Sequence, residues 1–268
     1  MHGPAPPIIP PSLLMTAYRS GIFPMADSRD DTELFWIEPR ERAILPLDGF
    51  HCSRSLAKVL RRGTFKVTCN TSFRDVVEAC AAPRPDHPES WISDRIARSY
   101  AALHAHGHAH SFECWQDGEL VGGLYGVGFD RVFCGESMFN KATDASKVAL
   151  AWLVASLRMA GITLLDCQFM TDHLASMGAT EISQQEYLEL LNAAQSRDPA
   201  LPPPASVSEG YWSLLAAAAG ASAGAAGGDA AGDGLAAGRG AGAEESPELA
   251  GAADSPGYFI AQFLTQTS

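Results

Sequence analysis

The stretch that most restricts the fold is HAHSFECWQDGELVGGLYGV, residues 108–127. Two strand-like runs meet across Asp117-Gly118, a dipeptide suited to the positive φ angles of a tight hairpin turn. DRVFCGE follows at once as a third short strand. An antiparallel sheet is therefore expected at the centre of the chain. Gly122, Gly123 and Gly126 inside it mark a bulge or a close backbone approach. They do not form a phosphate loop, because the strand-loop-helix order and the lysine of such a loop are missing.

Helical periods flank this sheet. Ser12 is placed to cap LLMTAYRS, and SRSLAKVLRR forms a second helix before the strand TFKVTCN. Ser72 precedes FRDVVEACA, and Ser93 with Asp94 opens DRIARSYAALHAH, which Gly107 stops. Asp144 is placed to cap ASKVALAWLVASLRMA. There Ala145, Val148, Ala149, Trp152, Leu153 and Leu157 recur at helical spacing. Gly161 ends it, ITLLDCQ is the next strand, and TDHLASM, EIS and QQEYLELLNAAQ complete the pattern. FWI and AILPL read as further short strands near the N-terminus. The fold class is α/β of the α+β kind, with a mixed, largely antiparallel sheet. Its element order also describes the GNAT acyltransferase core, although no acyl-CoA pyrophosphate loop is evident.

The composition changes after about residue 215. An Ala/Gly-rich run follows that offers too little apolar surface to offset chain entropy, so residues 215–268 are expected to be mostly disordered. From residue 205 onward there are seven acids and one base, half of the net charge of −12. That net charge argues against nucleic acid, yet residues 51–66 carry five bases and no acid. A local basic patch is compatible with an acidic whole. No run of about 18 apolar residues implies a membrane span. The N-terminus lacks the order of a signal peptide. Six scattered cysteines without a C-x-x-C pair fit neither structural zinc nor a disulfide framework, and reduced thiols in a cytoplasmic protein are expected.

Three groups of residues invite chemistry. Arg54, Lys58, Arg61 and Arg62 fall on one face of a helix with no acid among them; a solvated face and a phosphate-binding face are both open readings. His104, His106, His108 and His110 resemble a metal cluster. Only His108 and His110 share a strand face, which favours structural histidines. Glu136 stands at one strand end, and Asp166 and Gln168 at another. Alternation puts Asp166 and Gln168 on one face, roughly 6–7 Å apart, and turns Cys167 to the other with Leu165 and Phe169. Acids beside apolar strands are costly unless paired or functional, so ion pairs with Lys147 or Arg131 stand against a catalytic role. Cys167 reads as a packed interior thiol, since a nucleophilic one needs an activating base on its own face.

Taken together, YRSGIFPM, HCSRSLAKVLRR, WI at 91–92, LHAHGHAHSFECW, LVGGLYGV, FCGESMF, ASKVAL, LLDCQF, DHLASMGA and the ending LTQTS resemble the leucyl/phenylalanyl-tRNA–protein transferases. The resemblance covers about residues 12–192. It implies a small N-terminal domain (1–66) with a basic tRNA-binding helix, a GNAT-like catalytic domain (67–214) and an added tail specific to this chain. It implies transfer of Leu or Phe, and also Met, from aminoacyl-tRNA to proteins that begin with Arg or Lys. The product is a degradation signal of the N-end rule pathway, and no metal or coenzyme is implied; the sequence leaves the oligomeric state open, with a monomer as the default expectation. Carried over by motif, Asp166, Gln168 and Glu136 are catalytic. Trp91, Phe133, Leu150 and Leu165 form the aminoacyl pocket, and Arg54, Lys58, Arg61 and Arg62 bind tRNA. Met25 stands where some members have Trp, which changes the stacking available to the tRNA end. Aminolysis of an ester requires alignment and a proton acceptor but no covalent enzyme intermediate, so Cys167 has no assigned step. Gln168 is expected to orient the amine, polarised by Asp166, while Glu136 and Asp166 suit the acceptor's cationic side chain.

Overall fold

The computed structural model describes residues 6–83, 89–197, 199–226 and 255–265. In chain order the first elements are α1 (Pro11–Arg19), β1 (Phe23–Met25), β2 (Phe35–Ile37), β3 (Glu41–Ile44), α2 (Arg54–Arg61), β4 (Lys66–Cys69), α3 (Phe73–Ala81) and α4 (Asp94–Ala105). The central hairpin is β5 (Ala109–Gln116) and β6 (Glu119–Phe129), followed by β7 (Val132–Asn140), α5 (Ala145–Ala160) and β8 (Leu164–Gln168). The chain then forms α6 (Asp172–Ser176), β9 (Thr180–Ser183), α7 (Gln184–Gln195), α8 (Val207–Ala226) and α9 (Pro256–Thr265).

Asp117 and Gly118 take φ angles of 52° and 82°, as the hairpin turn between β5 and β6 requires. From this hairpin a seven-stranded sheet grows in the order β4-β5-β6-β7-β8-β3-β9. Every neighbouring pair is antiparallel except β7 with β8, which α5 joins as a crossover. The mixed, largely antiparallel sheet expected from the sequence is present. β3 comes from the N-terminal segment and is inserted between β8 and β9.

The sheet divides two cores. On one face α2, α5, α8 and α9 pack over Phe112, Leu124, Phe133 and Leu165. On the other, α1, α3, α4 and α7 pack over Tyr125, Val127, Val132 and Cys134. α5 is buried on nearly all sides, which its apolar run dictates. The glycines of β6 are close-approach positions. A Cβ on Gly122 would stand 2.5 Å from the Ala145 Cβ, and one on Gly126 would stand 2.3 Å from the Cys134 carbonyl oxygen.

Several local expectations are corrected. α1 starts at Pro11, one residue before Ser12, because the fixed φ of proline suits the first turn. Ser72 and Asp144 occupy the positions before α3 and α5 but make no capping hydrogen bond, whereas Ser93 and Ser183 do cap. Of the tail expected to be mostly disordered, only residues 215–226 and 255–265 are described, and these are helical apart from Ser255. α8 continues to Ala226, since alanine is the strongest helix former. Its Val207, Tyr211, Leu214 and Ala218 form a helical stripe that is buried. α9 docks as well, burying Ile260, Ala261 and Leu264. Residues 227–254 and 266–268, on which the rest of that expectation falls, lie outside the described residues.

α8 lies so close to α5 that a Cβ on Gly210 would meet the Ser156 carbonyl oxygen at 2.2 Å. Gly210→Leu is therefore expected to lower the unfolding free energy by about 1–3 kcal/mol, read as a lower midpoint in urea. An unchanged midpoint would show that α8 is not held there.

Candidate active site

β7 and β8 pair over only three residues, Val132–Cys134 with Leu164–Asp166. Directly beyond, both strands lose register with their other neighbours. Between β6 and β7, Tyr125 opposes Ser137 and Gly126 opposes Gly135, so Glu136 is an extra residue. Between β3 and β8, Ala43 opposes Gln168 and Ile44 opposes Asp166, so Cys167 is an extra residue. Each is a β-bulge, a device that bends a strand and re-aims its side chains. Gln168 completes the turn-out with a φ of 63°, a left-handed conformation uncommon for a side chain other than Gly, Asn or Asp.

The two bulges bring Glu136 and Gln168 together. The Gln168 amide nitrogen Nε2 donates to Glu136 Oε1 at 2.9 Å. Tyr18 donates to the same carboxyl at 2.7 Å and Tyr100 at 2.8 Å. The carboxyl is buried, and that burial pushes its pKa up to about 7, although the three donors and nearby Asp166 act on it in opposite directions. Tyr18 comes from α1 and Tyr100 from α4, so the second core layer supplies the donors.

Asp166 has a different surrounding. It is 0 % exposed, and Arg42 of β3, 2 % exposed, binds it bidentately, Nε to Oδ1 at 2.9 Å and an η nitrogen to Oδ2 at 2.5 Å. Arg42 also donates to the Gly21 carbonyl oxygen and the Tyr187 hydroxyl, and it stacks on the rings of Phe23 and Tyr187. Burial would lower the Arg42 pKa, but the hydrogen bonds and charge of Asp166 outweigh it and leave it raised. Asp166 Oδ1 accepts from the backbone nitrogen of Gln168 at 2.8 Å. Asp166 thus fixes the main chain of Gln168 and does not touch its amide. Its partner is neither Lys147, which pairs with Asp144, nor Arg131, which donates to backbone carbonyls.

A cavity of about 770 Å³ opens past the point where β7 and β8 part. Glu136 and Gln168 line it, with Asn140, Asp144 and Lys147 among its other polar groups; Trp91, Leu150 and Leu165 belong to its apolar wall, as does Met25 of β1. Phe133 is placed elsewhere: it is fully buried and its ring lies under Gly126, within the core shared with α5. It is not among the wall residues, and neither is Asp166. Cys167 is only half-buried and does belong to the wall, which corrects the packed interior thiol expected for it. Burial pushes its pKa up, and Asp166 adds to this, so it is a protonated thiol rather than a nucleophile.

Arg54, Lys58, Arg61 and Arg62 are all exposed at α2, away from the cavity wall. His110 is buried beside Asn70, and burial, with His104 and His108, lowers its pKa to about 4. His104 stacks on Phe73. Among the described residues no three His, Cys, Asp or Glu side chains are grouped as metal ligands. Sequence reasoning missed Arg42, Tyr18, Tyr100 and Tyr187. Arg42 in ERAI carried one usable signal, a charge on an inward position of a strand.

A mixed α/β sheet whose central strands β7 and β8 part to open a largely apolar cavity, with a buried acid and an amide in its lining, fits an acyltransferase. Such enzymes seat an apolar acyl group and present polar side chains to an incoming nucleophile. The family model for Leucyl/phenylalanyl-tRNA protein transferase matches residues 44–192, and the model of that family's N-terminal domain matches residues 9–40. The chain belongs to this family. It is 62% identical to the leucyl/phenylalanyl-tRNA–protein transferase of Novosphingobium aromaticivorans over 98% of both chains. It is 56% identical to that of Zymomonas mobilis over 70% of each chain. With that of Cereibacter sphaeroides it shares 52% identity over 78% of this chain and 93% of the relative. The alignment with the Novosphingobium relative extends through the tail, which corrects the expectation that the tail is specific to this chain.

Removing one partner of a buried ion pair leaves a charge without compensation. Arg42→Met is expected to cost about 3–5 kcal/mol in urea unfolding, while Arg42→Met with Asp166→Leu recovers most of that loss. A single substitution costing under about 1 kcal/mol would contradict the enclosed pair.

Proposed function

We propose that this enzyme transfers Leu or Phe, and with lower discrimination Met, from aminoacyl-tRNA to the N-terminal Arg or Lys of acceptor proteins. The observation that carries the reading is the Glu136–Gln168 contact in the lining of a largely apolar cavity in a chain of this family. In this reading the segment 1–66 is a small domain bearing the tRNA helix, 67–214 is catalytic, and a monomer acts in the cytoplasm. The product enters the N-end rule pathway, and neither metal nor coenzyme takes part.

The donor's side chain lies against Trp91, Leu150 and Leu165, with Phe133 supporting the wall from the core. Leu, Phe and Met are apolar and unbranched at Cβ, which a narrow entrance favours. A hydrophobic wall discriminates by about 1–3 kcal/mol per methylene, so leakage to Met is expected. Arg54, Lys58, Arg61 and Arg62 hold the phosphates of the tRNA at the exposed face of α2.

Glu136 decides which way Gln168 faces. An ionised carboxylate only accepts hydrogen bonds, so it takes the NH₂ of Gln168 and leaves Oε1 free for the acceptor's α-amine. The amide is a weak base and serves to orient the amine. Its proton leaves to water or to the tRNA ribose hydroxyl as the ester bond breaks and the peptide bond forms. Asp166 contributes through position, by holding the Gln168 backbone, since its carboxylate is already occupied by Arg42. The acceptor's cationic side chain therefore has Glu136, not Asp166, within its reach.

The assay incubates the protein with labelled Leu-tRNA and a protein beginning with Arg; absence of transfer beside an active control overturns the reading. In it Cys167→Ala is expected to keep most activity, while Gln168→Ala loses about 10²-fold, the typical effect of a misplaced reactant. Below about pH 7 Glu136 holds its own proton and no longer fixes Gln168, so transfer is expected to rise as pH passes that value. Glu136→Gln should remove this step and leave only the rise near pH 8 that belongs to the α-amine. A profile identical to that of the parent would rule out Glu136 as the titrating group.

A further inference from the structure

α8 and α9 follow residue 192, where the family model ends. α9 rests on α2, the helix that carries Arg54, Lys58, Arg61 and Arg62. The approach is close. A Cβ on Gly257 would stand 2.1 Å from the Leu60 carbonyl oxygen, and Ser255 Oγ donates to the Arg61 carbonyl oxygen at 3.2 Å. Ile260, Ala261 and Leu264 share one buried cluster with Leu56, Ala57 and Leu60. α9 therefore covers the apolar side of α2 and caps its end, while the four cations stay exposed on the outside. None of the four side chains makes a hydrogen bond or ion pair among the described residues. α9 itself, PGYFIAQFLT, brings no charge that would cancel theirs.

α2 has only eight residues, about two turns, too few to hold a helix in water without packing. Its cations lie at i, i+4, i+7 and i+8, so their mutual spacing exists only while the helix is held. Binding to a row of phosphates is tighter when those charges are fixed beforehand, because less freedom is lost on binding.

We propose that α9 is a positioning brace for tRNA binding: by gripping the buried side of α2 it fixes the four cations against the phosphates of the acceptor stem. The inference rests on the function proposed above and assigns a role in it to a helix beyond the family model. Gly257, Ile260 and Leu264 act through α2 and touch neither substrate.

The experiment compares two donors in the full-length chain. One is leucyl-tRNA; the other is 3′-leucyl-adenosine, which carries the ester but no acceptor stem. Gly257→Leu and Ile260→Asp are each introduced to lift α9. With leucyl-tRNA, KM is expected to rise about tenfold at unchanged kcat, since preorganisation rather than chemistry is impaired. The slope of log KM against log salt is expected to become shallower by about one for each phosphate that is no longer neutralised. With leucyl-adenosine, kcat/KM is expected to stay within about twofold of the parent, because no phosphate row is engaged. Parallel losses with both donors would reduce α9 to support of the fold and overturn the proposal. So would an unchanged KM for leucyl-tRNA in both variants. A parent that transfers from neither donor would instead overturn the function proposed above, and the brace with it.

Discussion

The structure turns on one enclosed ion pair. Arg42 and Asp166 lie 124 residues apart, and both are shut off from water. A guanidinium in that position is tolerable only with its hydrogen-bonding capacity used, and Asp166, Gly21 and Tyr187 use it. The pair therefore ties three separate parts of the chain, the turn after α1, β3 and α7, to the end of β8. It also dictates what Asp166 is free to do. A carboxylate already held by a bidentate arginine is a fixed anchor, and what it anchors here is the backbone of Gln168, which lines the cavity.

On that anchor rests the arrangement of the site. The parallel pairing of β7 and β8 stops after three residues, and each strand carries a one-residue bulge at that point. Regular pleating would have continued the sheet and left no cavity. The interruption both opens the space and turns Glu136 and Gln168 toward each other. Three donors around Glu136 then balance a carboxyl whose burial favours the neutral form, so its ionisation lies near neutral pH. A group balanced in this way changes its hydrogen-bonding needs over a narrow pH range.

Much of this was legible in the sequence, and the misses have physical causes. Asp117-Gly118 located the hairpin because few dipeptides tolerate its backbone angles. The glycines of β6 marked close approaches, and the period of α5 marked a buried helix. Alternation correctly separated Asp166 from Cys167, but it wrongly grouped Gln168 with Asp166, since Gln168 lines the cavity with Cys167 and Asp166 does not. It could not show the bulge at Cys167, which depends on register with β3, a strand encoded far upstream. Nor could it show that Arg42 supplies the counter-charge, because Lys147 and Arg131 are nearer in sequence and the pairing is set by sheet order. Tyr18 and Tyr100 sit on helices whose apolar periods explain them fully as core residues; only the fold shows their hydroxyls meeting at one carboxyl. From residue 215 the Ala/Gly composition suggested mostly disorder; the stripe of Val207, Tyr211 and Leu214 just before it packs on α5, and α8 runs on from there to Ala226. Phe133 stands just before the CGE motif, and only the family resemblance grouped it with the pocket. Phe133 shares a sheet face with the wall residue Leu165, its partner on β8, yet lies in the core packed under α5.

The place of β3 in the sheet has a consequence for how the molecule comes into being. β3 leaves the ribosome among the first strands, yet both of its neighbours, β8 and β9, are made more than a hundred residues later. Loop closure over such a span is slow, and non-local pairings of this kind form late. Until then Arg42 has no counter-ion and stays in water, and the sheet ends at β7. The enclosed Arg42–Asp166 pair, and the Gln168 backbone that Asp166 holds, thus cannot form before the N- and C-terminal halves of the chain have met.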